Sequence, residues 1–454
     1  MLIFNFKIEI MIIFIKNNIL KTALVISLAL VSSCNFDEVV DPNGPSLGGV
    51  ESGASKDQLN GLVVAVESTS RNGLGIETTA SGTMARELYL FDADPRNTGD
   101  LLGKDGIILD NNSFYSTAQW NGSYRCIKNA NVLIGAVNNT ESVNDEERNG
   151  YEGFAKTFIA YELIQVLKSY GEARVDVADP ENLGPILDFD SAISMIRTML
   201  DEADTDLANA GTTFAFPLSS GFAGFDTPSG FREFNRAVAA IAAVYDGEGS
   251  AALTHLGDSY FDTAASLDLR PKHVFSLGGG DQANPVFRIP SASAAEPNNG
   301  DQIIVHNSWI NDAEPGDTRV DEKTALRPDP STQDGLSGTH ETRLYASNVS
   351  PIDIIRNEEL ILVYAEASIL ANNLQDAEDA LNVIRNAASL PDYSGAQTPA
   401  DLTTEMLRQR RYSLWCENHR MFDLRRYGLS NTLPIDRVGD QIFNVLPIPL
   451  SENQ

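Results

Sequence analysis

Apolar residues recur every three or four positions along most of the chain, and polar residues fill the positions between them. This spacing places the apolar side chains on one face of an α-helix. It predicts helices at 56–69, 116–138, 146–170, 189–209, 231–246, 250–266, 353–372, 375–389 and 399–427. A mainly α fold is therefore expected.

Two stretches depart from this pattern and are predicted to be irregular insertions in a single helical domain over 56–454. Residues 268–351 hold eight of the twenty prolines and the consecutive glycines 278–280, which excludes a continuous helix there. A segment of this length inside a domain is expected to be functional or partly stranded. A shorter irregular stretch is predicted at 74–115.

Two predicted helix pairs share the spacing of a helical repeat. Small residues recur at fixed intervals in each pair, and short side chains fit where two helices cross closely. The positions are Tyr364, Ser368, Ala380, Ile384 and Ala387 in one pair, and Ala240, Gly247, Ala252, Leu256 and Ser259 in the other. The expected fold class is mainly α, a tetratricopeptide-like helical-repeat scaffold with long irregular loop insertions. An unrelated α-bundle is the alternative.

Residues 1–33 have the properties of a secretory signal, with a basic flank, a short apolar core and small residues at the end. The segment Val31-Ser32-Ser33-Cys34 resembles a bacterial lipobox. This resemblance implies a lipoprotein signal peptide that is cleaved before Cys34, followed by lipidation of that cysteine. Residues 34–55 are predicted to be the lipidated tether. Plain secretion and a start at Met11 are the alternatives.

Charge and motif content exclude several functions. The chain carries 63 acidic and 33 basic residues, a formal net charge of −30, and such a field repels nucleic acid. No close-spaced histidine motif, G-x-S-x-G elbow or complete P-loop occurs, so no metal, cofactor or enzyme activity is expected. A pair of glycosidase carboxylates stays open, because a sequence does not show the distance between two acids.

The three cysteines cannot form a disulfide framework. Cys126 and Cys416 lie among apolar residues and are predicted to be buried free thiols, with a disulfide between them as the alternative. Asp92 and Asp94 resemble a calcium loop only loosely, so a solvated acidic loop is the expected structure there.

Several segments, in order along the chain, resemble the SusD/RagB family of surface lipoproteins of Bacteroidetes nutrient-uptake complexes. They are Asp41-Pro42-Asn43, the helix at 151–171, the stretch 356–367 (similar to R-x-x-E-x-x-L-x-Y-A-E-A), the stretch 410–426 (similar to R-R-x-E-L-x-x-E-G-x-R-x-x-D-L-x-R) and the closing 446–452. The chain departs from the family pattern at Gln409, Ser413 and Asn418, where the family usually has Glu, Glu and Gly.

The charged residues of these stretches are predicted to tie helices together in partly buried ion pairs. They are Arg356, Glu359, Glu366, Arg411, Glu417, Arg420 and Asp423. Glu417, Arg420 and Asp423 are three residues apart, so they are expected to share one helical face and to pair along it. A catalytic acid–base cluster is the alternative.

The resemblance implies a surface-exposed, nutrient-binding lipoprotein of the outer membrane. Such a protein captures a glycan, or a peptide, and delivers it to a TonB-dependent SusC-like transporter without breaking a bond. Aromatic faces and polar side chains are needed to bind a sugar. The candidate ligand-binding residues are Trp309, Asn311, Asp317, Arg319, Tyr115 and Trp120. Core packing is the alternative for Trp309 and Trp120.

Two other functions remain as alternatives. One is a lipid-anchored helical-repeat scaffold of the cell envelope, and the other is a glycoside hydrolase of the same compartment.

Overall fold

Helices occupy most of the computed structural model, which describes residues 53–291 and 301–453. The predicted signal, Cys34 and most of the predicted tether lie outside the described residues. The α-helices are α1 (Lys56–Thr69), α2 (Leu74–Met84), α3 (Phe114–Asn138), α4 (Asp145–Tyr170), α5 (Phe189–Ala208), α6 (Pro228–Tyr245), α7 (Gly249–Gly257), α8 (Asn307–Asn311), α9 (Arg319–Lys323), α10 (Asn357–Leu370), α11 (Leu374–Ala387), α12 (Pro399–Ser413) and α13 (Arg420–Arg426).

The strands are short and lie mostly in the long insertion. They are β1 (Leu88–Phe91), β2 (Glu172–Arg174), β3 (Ile186–Asp188), β4 (Lys272–His273), β5 (Gln302–Val305), β6 (Thr324–Gln333), β7 (Leu336–Thr342) and β8 (Ile352–Asp353). A four-stranded antiparallel sheet has the order β1-β5-β7-β6, and two small antiparallel pairs join β2 to β3 and β4 to β8. Single turns of 3-10 helix occur at Pro95–Asn97, Lys104–Gly106, Ser220–Phe222, Ser430–Thr432 and Leu450–Asn453.

Local capping sets several helix boundaries. Helix α1 starts after Ser55, whose hydroxyl accepts a hydrogen bond from Gln58 N while the Gln58 side chain accepts one from Ser55 N. Helix α4 has the same arrangement at Asn144. Its C-terminal cap is Gly171, whose left-handed φ of 77° suits a glycine. These starts and ends agree closely with those that the periodicity predicts.

Successive helices pack side by side from α3 to α7, and then α7 packs on α10, which pairs with α11 and α12. The repeat positions lie at these contacts, since Ala240, Ala252 and Ser368 are fully buried. The contact between α7 and α10 is especially close, because a Cβ at Gly249 would lie 2.6 Å from Leu370 Cβ. The fold is thus mainly α and tetratricopeptide-like, as predicted.

The insertion at 268–351 is partly stranded, which confirms one of the two alternatives expected for a segment of this length. Proline lacks an N–H and cannot donate to a strand ladder. The pairing of β6 with β7 accordingly shifts between Leu326 and Ser331, the interval that holds Pro328 and Pro330.

The predicted extents of one irregular stretch and two helices were wrong. The stretch 74–115 contains helix α2 and strand β1, so it is not irregular throughout. The helix predicted at 250–266 ends at Gly257. The helix predicted at 399–427 is interrupted after Ser413 and resumes at Arg420, because Cys416 and Asn418 have left-handed φ values of 66° and 56°.

Candidate functional site

A surface groove of about 430 Å³ lies where the long insertion meets the N-terminal helices. Its walls come from the C-terminal end of α1, the 3-10 turn at Ser220–Phe222, strand β4 and the glycine turn that follows β4. This volume is within the range of roughly 300–1,000 Å³ that is typical of small-molecule sites. Most of its polar groups come from residues far apart in sequence, which the fold brings together.

Glu67 forms the polar wall on the α1 side. Its carboxylate accepts hydrogen bonds from Ser219 N at 3.2 and 3.1 Å and from Ser219 Oγ at 3.0 Å. Burial raises the pKa of Glu67, while the Ser219 bonds and nearby Arg71 act in the opposite direction. These bonds fix the carboxylate at the rim of the groove with a defined orientation.

Arg71, two residues beyond the end of α1, connects the helix to the insertion. Its Nη1 donates to Val274 O at 2.5 Å and lies 2.8 Å from Asp281 Oδ1. Its guanidinium is also 5.6 Å from the centre of the Phe275 ring, a cation–π distance. Burial raises the pKa of Asp281, but hydrogen bonds from Gln282 and Ser276 together with Arg71 outweigh it, and the net shift is downward.

His273 contributes a buried ring nitrogen that has no partner. The residue is nearly fully buried in β4, and its Nε2 makes no hydrogen bond within the described residues. Burial and the adjacent Arg71 charge lower the pKa of His273 to about 3, so the imidazole is neutral at physiological pH. A buried polar atom without a partner destabilises a fold unless a ligand or water satisfies it.

Glycines allow close backbone approach around the groove. A Cβ at Gly221 would lie 1.9 Å from Lys272 O, so the 3-10 turn can contact β4 only with glycine at this position. Gly279 and Gly280, in contrast, line the groove with open space around them. The result is a concave polar surface whose apolar parts come from Val64 and Phe222.

The groove combines several kinds of polar group. It presents carboxylates, a guanidinium, hydroxyls and a neutral imidazole, which suit the donors and acceptors of a polar ligand. Among its described lining residues, two acids (Glu67 and Asp281) balance two cations (Arg71 and Lys272). This charge balance favours an uncharged ligand.

The residues that the sequence predicts to bind ligand lie elsewhere. Trp309 is 0% exposed, and its ring packs against Tyr412 and Trp415 at centroid distances of 5.0 and 5.1 Å. Its Nε1 donates to Arg411 O at 3.2 Å. No ring face of Trp309 is open to a ligand in this structure, so the geometry favours the core alternative.

Asp317 and Arg319 form a buried bidentate pair, with nitrogen–oxygen distances of 2.8 and 2.7 Å. Arg319 also donates to Ser413 Oγ at 3.0 Å, which ties the insertion to α12. It lines a separate cavity of about 340 Å³ together with Arg356 and Glu417. Asn311, at the end of α8, is exposed.

Tyr115 and Trp120 are also buried. The Tyr115 hydroxyl donates to Asp100 Oδ2 at 2.9 Å and accepts from Asp110 N at 2.8 Å. Trp120 packs edge-on against Tyr170, with the ring centroids 5.0 Å apart. Both side chains hold α3 against its neighbours, and core packing is the role that the geometry favours for Trp120.

The signature charges do tie elements together. Arg356 Nη1 is 2.9 Å from both carboxylate oxygens of Glu417, and it also pairs with Asp353 and Glu358. Glu366 accepts from Arg426 at 2.7 Å and from the Tyr427 hydroxyl at 2.7 Å. Arg411 bridges to Asp312 at 2.9 Å.

The expectation that Glu417, Arg420 and Asp423 pair along one helical face was wrong. The break between α12 and α13 leaves Glu417 outside both helices, where it meets Arg356. Asp423 instead pairs with Arg410 at 2.7 Å and with Arg426 at 3.2 Å. Arg420 makes no hydrogen bond or ion pair with any residue that the structure describes.

An interior cavity brings two of the signature acids, Glu359 and Glu417, together but has little space. Glu77, Lys168, Glu359 and His419 line it, and its volume is about 60 Å³, room for a few water molecules. Burial raises the pKa of Glu359 to about 7 and lowers the pKa of His419, so the contact of 3.6 Å between them is not an ion pair at neutral pH. A sugar ring does not fit this cavity.

Cys126 and Cys416 are both free and buried, so the alternative of a disulfide between them was wrong. Sequence reasoning missed the groove residues Glu67, Arg71, His273 and Asp281. The signal that was present is the triple glycine 278–280 in the insertion, but no aromatic or motif marks Arg71 or His273 in the sequence.

A concave polar groove therefore lies on a helical-repeat scaffold. The family model described as SusD family matches residues 334–445. No curated protein sequence matches the chain. The fold is similar to that of a SusD superfamily protein from Bacteroides vulgatus, with a TM-score of 0.67 and 18% identity over 88% of this chain and 97% of that one.

Surface glycan-binding protein A from Bacteroides thetaiotaomicron is similar in fold as well, with a TM-score of 0.66 and 17% identity over 87% of this chain and 96% of that one. The same protein has been solved in complex with laminarihexaose, with a TM-score of 0.65 and 16% identity over 88% of this chain and 97% of that one. The family match over residues 334–445 and the shared fold both agree with the predicted resemblance to the SusD/RagB family. Within the described residues, no helix is both long and apolar enough to cross a membrane.

Proposed function

We propose that this protein is a surface-exposed, lipid-anchored glycan-binding protein that captures an oligosaccharide in the groove around Arg71 and His273. The observation that carries the proposal is the orphaned His273 nitrogen beside fixed polar groups in a concave surface. The fold is shared with a protein solved with laminarihexaose, which supports a glycan as the ligand class. A peptide is the second ligand class that the family allows.

The chemistry of the groove supports a neutral sugar. Sugar hydroxyls donate and accept hydrogen bonds, and Glu67, Arg71 and neutral His273 offer complementary partners. The balance of acids and cations leaves no net charge to attract an anionic glycan. The C–H-rich face of a sugar ring can rest on Val64, which is 56% exposed.

The protein is proposed to bind its ligand without turnover. Glu67 is engaged by Ser219 and Asp281 by Arg71, so each groove carboxylate already has a fixed partner. The remaining elements of the proposal come from the sequence and the family. They are lipidation at Cys34, location at the outer membrane and delivery of the glycan to a TonB-dependent SusC-like transporter.

Gly279→Leu tests the groove. The glycine lines the groove and a Cβ there would have nothing within 4 Å, so a leucine would occupy groove volume without strain. Gly61→Leu is the matched control, because Gly61 is exposed on α1 and equally unhindered. Calorimetric titration with laminarihexaose and other neutral oligosaccharides should show binding that Gly279→Leu abolishes and Gly61→Leu preserves. Equal affinities in the two variants would remove the groove from the proposal.

Purification from mild-detergent extracts of outer membranes tests the partner. A large β-barrel transporter recovered in near-equal amount would support delivery, and the Cys34→Ala variant should be lost from the membrane fraction. Recovery of this chain alone, in several detergents, would favour the envelope scaffold. Release of shorter sugars from a bound oligosaccharide would favour the hydrolase.

A further inference from the structure

A second pocket, on the C-terminal helices, has a different chemistry from the groove. It encloses about 460 Å³ between α12, α13 and the 3-10 turn at Ser430–Thr432, and it shares no residue with the groove. We call it the arginine pocket. Its lining residues include Arg408, Arg411, Arg420, Asp312, Thr404 and Thr432, together with a wall of Leu407, Leu424, Leu429 and Tyr412.

Helical spacing explains how α12 builds one side of this pocket. Thr404, Leu407, Arg408 and Arg411 follow the i, i+3, i+4, i+7 pattern, so their side chains share one face of the helix. Arg420 comes from the first turn of α13, on the other side of the break in the chain. The break after Ser413 therefore brings the third arginine to the pocket.

The three guanidinium groups are not neutralised to the same degree. Arg411 is held by Asp312 at 2.9 Å and Ser308 at 3.0 Å. Arg408 has only long contacts, 3.4 Å to Glu314 and 4.0 Å to Glu405, and both of those acids have a closer partner in Arg385.

Arg420 has the least compensation of the three. Its side chain makes no hydrogen bond or ion pair within the described residues, although the buried carboxyl groups of Glu87 and Asp423 attract it from a longer distance. Burial and the neighbouring charge of Arg411 lower the pKa of Arg420. An anion beside Arg420 would offset the repulsion from Arg411 and use the free donors of Arg420.

The local charge of the pocket is opposite to that of the whole chain. Three arginines face one lining carboxylate among the described residues, a local excess of two positive charges in a chain of net charge −30. Salt screens exposed charges beyond about 8 Å at physiological ionic strength, so the charges on distant parts of the chain act only weakly on an anion in the pocket.

The remaining walls suit a sugar ring rather than a bare inorganic ion. Leu429, which is 37% exposed, offers an apolar surface, which an inorganic anion would not use. The hydroxyls of Thr404 and Thr432 donate to backbone carbonyls at 2.9 and 2.7 Å, so their lone pairs remain free to accept from ligand hydroxyls.

From this geometry we infer that the arginine pocket is a second ligand site, and that it binds an acidic sugar through its carboxylate. The carboxylate pairs with Arg420 and Arg408, the ring lies on Leu429, and ring hydroxyls donate to the two threonines. The inference does not depend on the proposed function of the groove.

Titration with sodium glucuronate, glucose and inorganic phosphate tests the inference, read by calorimetry and by NMR of the leucine methyl groups. Glucuronate should bind in the millimolar range or more tightly, and glucose should not perturb the pocket. Arg420→Gln should weaken glucuronate binding roughly tenfold or more, because a charge-assisted contact is lost. Arg408→Gln should weaken it about threefold, as expected for a more exposed charge.

The matched control is Arg96→Gln. The Arg96 side chain is 46% exposed against 47% for Arg408, but Arg96 lies outside the pocket. Its removal should leave glucuronate binding unchanged, as should Gly279→Leu in the groove. If Arg420→Gln does not fold, Arg408→Gln carries the decision.

Three results would overturn the inference. They are no saturable glucuronate binding in the millimolar range, affinity that both arginine variants leave unchanged, and phosphate binding as tight as that of glucuronate with the same dependence on Arg420. The last result would identify a site for simple oxyanions. Loss of laminarihexaose binding in Gly279→Leu bears only on the groove.

Discussion

Asp423→Asn removes one carboxylate from the most buried ion-pair network among the described residues. Asp423 is 2% exposed and accepts from Arg410, which is 1% exposed, at 2.7 Å. It also pairs with Arg426 at 3.2 Å. Asparagine has nearly the same shape, so the substitution leaves packing in place and leaves Arg410 buried without a carboxylate.

The expected loss of stability follows from this burial. Breaking a buried ion pair by removing one partner costs about 3–5 kcal/mol in the free energy of unfolding. The described residues lie in a unit that spans Glu51–Gln454. With an unfolding entropy of roughly 2.1 cal/mol/K per residue over about 400 residues, a loss of about 4 kcal/mol lowers Tm by about 5 °C.

The dependence on pH supplies an independent check. Burial raises the pKa of Asp423, but Arg410 and Arg426 outweigh it and the net shift is downward. A carboxyl group with a lowered pKa in the folded state contributes stability above its unfolded pKa and loses it as the pH falls through the folded value. The difference between the wild-type protein and Asp423→Asn should therefore be largest at neutral pH and should shrink in acid.

Scanning calorimetry at several pH values measures both effects. Asp94→Asn is the control, because its pair with Arg96 is exposed and worth about 1 kcal/mol at most. A neutral-pH Tm for Asp423→Asn within about 1 °C of wild type would refute the reasoning. Unchanged melting combined with lost glycan binding would instead indicate that the network is part of a binding site.

Three further outcomes are expected. Trp309→Ala should lower the free energy of unfolding in urea by about 3–5 kcal/mol, since the ring is fully buried. Glycan affinity at a temperature where the variant is folded should stay unchanged. Loss of affinity in the folded variant would instead make Trp309 a ligand-binding residue. Glu359→Gln should reduce the fall in Tm between pH 5 and pH 8. Because the pKa of Glu359 is raised to about 7 in the folded protein, the stability that this group contributes in acid is lost as the pH rises from about 4.5 through 7. Identical pH profiles for the variant and the wild-type protein would contradict this. Gly221→Ala should lower Tm sharply, because its Cβ would lie 1.9 Å from Lys272 O, whereas Gly224→Ala, with nothing near its Cβ but a φ of +89°, should cost only about 1 kcal/mol.

The helical framework could be predicted from the sequence because it depends on neighbouring residues. The predicted bounds of α1 agree with the observed Lys56–Thr69, where apolar spacing and the Ser55 capping box act within a few positions. The repeat spacing around Ala252 and Ser368 likewise indicated close helix contacts, which the buried positions confirm. Such local signals are present in the sequence itself.

The interruption between α12 and α13 could not be predicted in this way. The stretch 399–427 has continuous helical periodicity, but Glu417 is drawn to Arg356 and the Asn418 amide donates to Glu77 Oε1 at 2.7 Å. These partners are more than fifty residues away in sequence. Long-range contacts here outweigh local helix propensity, and asparagine tolerates the left-handed conformation that results.

The sequence by itself determined the fold class and the helical repeat, because these follow from periodicity, and its short motifs indicated the resemblance to the SusD/RagB family. It also identified Trp309, Arg319 and Trp120 as notable residues, but not whether each faces solvent or core. Only the tertiary structure decided that these side chains are buried and that Arg71 and His273 face a common groove. The physical reason is that burial and proximity depend on how distant segments pack, and a one-dimensional pattern does not contain those distances.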